Sequence, residues 1–169
     1  MLKKILLHSL IFLVILLFNS IAGTFVIGSF LPDTFEQVRT RNYYTDKVML
    51  WTVLTDIDSY PLWKPNIIEV DLVQDGLKLS GFTEYDAVGR QKYWTVLDWK
   101  VQERLKIKTT PSTRYFQEIN YTLRQKEDTV MLSLRMLGKY QNPFQRFTQR
   151  FVHNQYTQLD KILISIDNQ

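Results

Sequence analysis

The chain opens with an unbroken apolar stretch, since residues 5–31 carry no charge. As a helix this run would be about 40 Å long at ~1.5 Å per residue, more than the ~30 Å hydrocarbon core of a bilayer. Lys3 and Lys4 precede it. The positive-inside tendency would hold them in the cytoplasm and put the rest of the chain on the far side. The same features also fit a cleaved signal, with Lys3-Lys4 as its basic start, residues 5–18 as its apolar core and Ser20-Ile21-Ala22 as its cleavage site. Cleavage would give a secreted or periplasmic protein. Apolar character resumes at once in Phe25-Val26-Ile27 and Phe30-Leu31, which favours a retained, single-pass anchor over residues 1–31. Pro32 then ends the segment.

Beyond Pro32 the pattern changes. Residues 35–41 roughly alternate and predict a strand. Thr45 is a plausible N-cap for a helix over 48–54, and Asp56 for a second short helix that stops before Pro61. Six strand-like runs follow, at 67–73, 77–85, 92–101, 105–109, 115–123 and 129–137. Turn signals separate them, Asp75-Gly76 being the strongest. Asn142-Pro143 then starts a helix, with Asn as N-cap and Pro at the first helical position. On a helical wheel Phe144, Phe147, Phe151, Leu159, Ile162 and Ile166 share one face, interrupted by Thr148 and Gln155. One long helix cannot cover both faces of seven strands. A curved antiparallel sheet gripping that helix is the economical α+β solution. It leaves a concave space of the kind that binds small ligands.

One segment carries a resemblance. Leu50-Trp51-Thr52-Val53-Leu54-Thr55-Asp56 continues into Ile57-Asp58-Ser59-Tyr60-Pro61-Leu62-Trp63-Lys64-Pro65. It resembles the front-helix signature of the START-like superfamily, which includes Bet v 1-like allergens, polyketide cyclase/dehydrase-type proteins and lipid-transfer domains. Leu50 stands where Val is usual, and Tyr43-Tyr44 where a small residue and Pro are common. With the strand order and closing helix, the resemblance covers about residues 34–166. It implies a helix-grip domain over 33–169 that binds a hydrophobic small molecule: a lipid, a quinone or an aromatic compound. The alternative it implies is a cyclase or aromatase on the same fold, because this superfamily carries both.

Alternation along the strands names the side chains that would line the cavity. Leu105, Ile107 and Thr109 oppose Lys106 and Lys108, and Ile119, Tyr121 and Leu123 oppose Glu118, Asn120 and Arg124. Tyr115 shares the inward parity of the latter set. Val130, Leu132, Leu134 and Met136 form the apolar side of the last strand. In the fourth strand Tyr93, Leu97 and Trp99 are the more apolar set, although Trp94 and Val96 share the other face. A slip of one residue exchanges the two. The candidate lining is therefore Trp63 at the mouth, then Tyr93, Leu97, Trp99, Ile107, Ile119, Tyr121, Leu134 and Met136, with Thr148, Phe151 and Gln155 from the helix. Trp51 and Leu54 are core positions of the front helix.

Composition narrows the chemistry. The 169 residues include no Cys, which excludes disulfides, thiolate metal sites and Cys nucleophiles. Without Lys3 and Lys4 the chain holds 19 basic and 17 acidic residues, scattered, so no nucleic-acid partner is expected. His8 and His153 are isolated, and there is no Gly-rich phosphate loop and no serine-hydrolase elbow. No metal or cofactor is implied, and no catalytic residue stands out. Asp56, Asp58, Glu69 and Asp71 are expected in solvent or at a cap. A cyclase would need a polar group inside the pocket, for which Gln117, Tyr121, Arg135 and Gln155 are the available side chains.

Overall fold

The computed structural model describes residues 2–110, 115–152 and 156–167. The chain divides into two compact units, Met1–Asp33 with Tyr140–Asn154, and Thr34–Lys139 with Gln155–Gln169.

The second unit holds a seven-stranded sheet. Strand β1 spans Thr34–Tyr43, and helix α2 spans Lys47–Thr55. A 3-10 turn at Ile57–Ser59 leads into the short α3, Tyr60–Trp63. Then come β2 Ile67–Asp75, β3 Lys78–Asp86, β4 Gln91–Lys100, β5 Arg104–Thr109, β6 Tyr115–Lys126 and β7 Thr129–Tyr140. The order across the sheet is β1-β7-β6-β5-β4-β3-β2, so consecutive strands from β2 to β7 are neighbours and β1 closes against β7. Hairpins produce this meander. At the β2–β3 turn Asp75 pairs with Lys78 around Gly76, whose φ of 62° is what a two-residue turn requires. At the β3–β4 turn the Asp86 carboxylate accepts from the backbone of Val88 and Arg90 at 3.0 and 2.9 Å.

The front helix starts one residue later than Thr45 would place it. Asp46 is the N-cap, accepting from the Val48 amide at 2.6 Å, because a carboxylate satisfies that orphan donor and favours the positive helix end. Leu50, Trp51 and Leu54 face the core. Asp56 precedes the 3-10 turn without a side-chain cap. The acidic residues Asp56, Asp58, Glu69 and Asp71 are all exposed.

The core lies on one face of the sheet. It is built from Phe82, Trp94, Leu105, Ile107, Ile119, Tyr121, Val130, Leu132, Leu134 and Met136, closed by α2, α3 and the C-terminal α5, Tyr156–Asp167. Ile162, Leu163 and Ile166 are the buried face of α5. Arg39 and Arg41 of β1 reach Asp160 and Asp167 at 3.1 and 2.5 Å, and the Tyr43 hydroxyl donates to the Leu163 carbonyl at 3.2 Å. Gly138 lies directly under Phe35, so that an added Cβ would come within 2.0 Å of the ring.

The C-terminal segment is not the one long helix that the wheel describes. Asn142 does cap a helix, α4, but this spans only Pro143–Phe147 and runs into a π-helical turn at Thr148–Val152. A π turn inserts an extra residue and rotates the apolar stripe away from a single face. The two ends therefore have different company, α5 packing on the sheet and α4 on α1, the N-terminal helix Leu2–Phe30. His153 and Gln155 lie outside the described residues, as do the side chains of Tyr115 and Leu159.

The first unit is α1 with this α4 segment. His8–Phe30 is long and apolar enough to cross a membrane. Large apolar side chains from Leu10 through Phe18 are exposed. Toward its end α1 meets α4. The Phe25 and Phe144 rings stand 5.6 Å apart, and Gly28 sits so close under Pro143 that a Cβ would meet its carbonyl at 2.0 Å. Arg146 donates to the carbonyls of Tyr140, Gln141 and Leu31 at 2.9, 3.0 and 3.3 Å.

Candidate functional site

The core face of the sheet is largely apolar over β5, β6 and β7 and carries charged side chains where β3 and β4 meet α3. In β3 the inward parity runs through Phe82 and Glu84, and in β4 through Lys92 and Trp94. The antiparallel register sets Glu84 directly opposite Lys92 and Phe82 opposite Trp94. Alternation alone thus sends two charged side chains inward.

Those charges are organised. Lys64, the residue after α3, forms a buried ion pair with one Glu84 oxygen. The other oxygen accepts from the indole nitrogen of Trp94 at 2.7 Å. The Lys64 ammonium also lies 4.4 Å from the Tyr60 ring centroid. Lys92 is half-buried as a residue, but its ammonium is held inside, donating to Gln117 Oε1 at 2.5 Å and lying 4.3 Å from the Trp94 ring centroid. Gln117 is fixed in turn, donating through Nε2 to Met136 Sδ at 2.9 Å, while its backbone amide donates to the Thr109 hydroxyl at 2.9 Å. Aromatic rings wall the cluster. Tyr60 stands 5.0 Å from Trp63 and 5.7 Å from Phe82, and Phe82 stacks on Trp94 at 6.1 Å.

Two buried donors in this neighbourhood, the Tyr121 hydroxyl and Trp63 Nε1, have no hydrogen-bond partner among the described residues. Burial, reinforced by the Glu84 charge, pushes the Tyr121 phenol well above its ordinary range. Tyr60 moves the same way, through burial first and then Tyr121, Glu84 and Asp56, and its hydroxyl donates to the Leu54 carbonyl at 2.8 Å. Burial pushes the Lys92 ammonium down to about 8, with Glu84 opposing and Lys64 adding to the shift.

The side chains expected at the cavity divide into groups. Trp63, Ile107, Ile119, Tyr121, Leu134 and Met136 are all buried on the core side. Trp99 is half-buried there, its ring edge-on to Trp51 at 5.8 Å. Tyr93 and Leu97 are on the opposite face, 53% and 41% exposed, whereas Trp94 is buried. A bulge between Val96 and Asp98 explains the division. It consumes one residue, so inward parity is even up to Val96 and odd again at Trp99. Thr148 and Phe151 belong to the first unit. The Thr148 hydroxyl donates to the Gln145 carbonyl at 3.2 Å, and Phe151 is exposed with its ring 5.0 Å from Phe147. Of the polar groups weighed for a cyclase, Gln117 and Tyr121 are in or beside the cluster. Arg135 is exposed and pairs with Glu36 at 2.7 Å. Sequence reasoning missed Lys64, Glu84 and Lys92. For Glu84 and Lys92 the available signal was a charge at the inward parity of a strand, whereas Lys64, the residue after α3, gave none. Among the described residues no group of His, Asp and Glu is arranged to hold a metal.

Comparison with solved structures defines the class of fold. The Zhui aromatase/cyclase of a Streptomyces strain superposes with a TM-score of 0.65 at 11% identity, over 80% of this chain and 93% of that one. A START superfamily protein from Mycobacterium smegmatis gives 0.62 at 10%, over 79% and 94%. Norcoclaurine synthase from Thalictrum flavum gives 0.62 at 9%, over 85% and 89%. The fold is therefore that of START-like, Bet v 1-like proteins, as the front-helix segment implied. No family model matches the chain, and no curated protein matches it in sequence. Identities this low show fold alone, and function has to be argued from the site.

Proposed function

We propose that the chain is a membrane-tethered START-like domain that binds a hydrophobic small molecule between the concave face of its sheet and its C-terminal helix. The observation that carries this reading is the pair of buried donors without partners, Tyr121 hydroxyl and Trp63 Nε1, beside an apolar face and a polar cluster. An unsatisfied buried donor costs about 1–3 kcal/mol, and a bound molecule with an acceptor would remove that cost. The tether is supported by α1, whose exposed apolar side chains would be removed from water by a bilayer. Anchoring raises the effective concentration of the domain near lipid-soluble ligands. The basic start of α1 would leave the domain on the non-cytoplasmic side.

A second reading has its own observation. Lys92, enclosed and pushed down to about 8, can exchange a proton near neutral pH. A cyclase or aromatase acting on a carbonyl compound would use such a group as an acid toward the carbonyl oxygen, with the Tyr121 hydroxyl as a second donor.

Native mass spectrometry of the full chain, released from detergent micelles, tests both. A co-purifying adduct of a few hundred daltons, recovered unchanged by extraction, supports the binding module. Conversion of an added compound to a new mass, lost in Lys92→Met, supports the enzyme. No adduct and no uptake of any lipid, quinone or aromatic compound would sink both.

A further inference from the structure

Helix α4 and the π-helical turn after it, residues 143–152, hold three phenylalanines and two arginines. This segment is fixed to the last turns of α1. The Phe25 and Phe144 rings stand 5.6 Å apart, and Gly28 leaves room for the Pro143 carbonyl, which an added Cβ would meet at 2.0 Å. Arg146 completes the seat. Its guanidinium donates to the carbonyls of Tyr140, Gln141 and Leu31, so its charge is placed at the negative end of α1. Phe147 and Phe151 continue the aromatic row, with rings 5.0 Å apart. Phe151 is 61% exposed, and Arg150 beside it is exposed as well. At the end of α1 itself, Phe30 is 86% exposed.

The depth of that seat follows from length. About 20 helical residues cover the ~30 Å hydrocarbon core at ~1.5 Å each. A span beginning at Ile5, the first residue after Lys4, reaches the far boundary near Thr24, and one beginning at His8 reaches it near Ile27. Phe25 and Gly28, which hold α4, therefore stand where hydrocarbon gives way to headgroups. Exposed aromatic rings beside an arginine suit that boundary. The rings leave water for the acyl chains, while the guanidinium stays among phosphates as a charge-assisted donor. We infer that α4 and its π-turn form a second membrane contact, lying in the headgroup boundary of the bilayer that α1 crosses, with Phe147 and Phe151 against the acyl chains and Arg150 on lipid phosphate. This rests on the tether reading above and adds a surface to it. The bilayer is the favoured occupant because the segment is seated on α1, whose Phe25, Val26 and Ile27 are exposed at the same level.

The chain has no Cys, so single nitroxide labels can be placed by substitution. The test uses Phe151→Cys, Val14→Cys and Leu77→Cys, each labelled in the full chain in nanodiscs of phosphatidylcholine and phosphatidylglycerol. Collision of each label is measured with oxygen, which concentrates in lipid, and with a water-soluble nickel chelate. Leu77, exposed at the β2–β3 turn, is the reference for water, and Val14, in the middle of α1, is the reference for hydrocarbon. The label at 14 should lie about 15 Å below the hydrocarbon edge. The label at 151 should lie about 5–10 Å into the boundary, with high oxygen and low nickel collision. Gly28→Leu, which obstructs the Pro143 seat, should raise nickel collision at 151 and leave the label at 14 unchanged; no change at 151 would refute the role given to that seat. Free nickel access at 151 with a deep label at 14 would overturn the second contact and leave the tether standing. Low collision with both reagents at 151 would mean that protein covers the segment, and would overturn the bilayer as its occupant. Free nickel access at 14 would overturn the tether and this contact together.

Discussion

Glu84→Gln isolates the central charge of the cluster. Glutamine keeps the size of the side chain and an oxygen that can still accept from Trp94 Nε1. What disappears is the countercharge of Lys64, in a site where Lys92 is already positive. Removing one partner of a buried pair costs about 3–5 kcal/mol. That agrees with a Coulomb attraction of ~4 kcal/mol at 4 Å and an effective dielectric of ~20. An exposed pair gives the scale for comparison. Arg135 and Glu36 have side chains 51% and 48% exposed, and pairs of that kind are worth ~0–1 kcal/mol. For a domain of this size each kcal/mol moves Tm by roughly 3 °C, so Glu84→Gln should lower it by roughly 10 °C and Glu36→Gln by no more than about 3 °C. The assay is thermal unfolding of the full chain followed by tryptophan fluorescence, with detergent and pH held constant. The double variant Lys64→Met, Glu84→Leu removes both charges and should recover most of the loss, because the desolvation cost of the pair goes with it. Equal shifts for Glu84→Gln and Glu36→Gln would refute the argument from burial. A double variant no better than the single one would refute the argument from charge.

Other consequences follow from the same geometry. The folded-state value of Lys92, about 8, lies below its ordinary 10.5, so between these pH values the native protein has released a proton that the unfolded chain keeps. Stability from this group therefore rises from pH 8 to 10.5, and the Tm of wild type minus that of Lys92→Met should grow across that window; a flat difference would count against it. Gly138→Ala puts a Cβ 2.0 Å from the Phe35 ring and should cost about 1–3 kcal/mol, with Phe35→Leu restoring much of it; a loss that Phe35→Leu leaves unchanged would locate the strain elsewhere. Asp46→Ala should cost about 1 kcal/mol through the lost cap, measured by chemical denaturation, with Asp46→Asn close to wild type. The full chain should stay in the membrane pellet after alkaline carbonate and keep Lys3-Lys4 by intact mass; a soluble species starting near Gly23 would show a cleaved signal instead.

Much of the local structure is legible along the chain, for reasons tied to particular residues. Asp75-Gly76, Gly89 and Glu127-Asp128 place the hairpin turns because they permit reversal, and alternation between them defines the strands. Asn142-Pro143 marks a helix start because Asn can cap the Phe144 amide and Pro is preformed for the first helical position. The inward faces of β5, β6 and β7 can be read directly, since Leu105 and Ile107, then Ile119, Tyr121 and Leu123, then Val130, Leu132, Leu134 and Met136 recur at every second position. The fourth strand could not be read this way. Apolar residues stand at both parities there, and the bulge at Leu97 makes Trp94 and Trp99 share a face that simple alternation forbids.

The cluster was hidden for a different reason. Lys64, Glu84 and Lys92 look like solvated surface charges, because a lone Lys or Glu in a strand or at a helix end normally is one. Pairing distinguishes them, and pairing is a property of three segments brought together: the end of α3, the middle of β3 and the start of β4. The same holds for the orphan donors of Tyr121 and Trp63, since being unsatisfied depends on what every neighbour does. Thus the sequence by itself determined the apolar N-terminal helix and the order of the elements, which rest on periodicity and turn chemistry over short stretches, while the START-like fold was legible only through the resemblance of the front-helix segment at residues 50–65. Only the tertiary structure decided which charges are buried, which face of β4 looks inward and where the C-terminal helix is interrupted. Each of these depends on contacts between residues far apart in the chain, and there burial changes the energy of a charge or a donor by several kcal/mol.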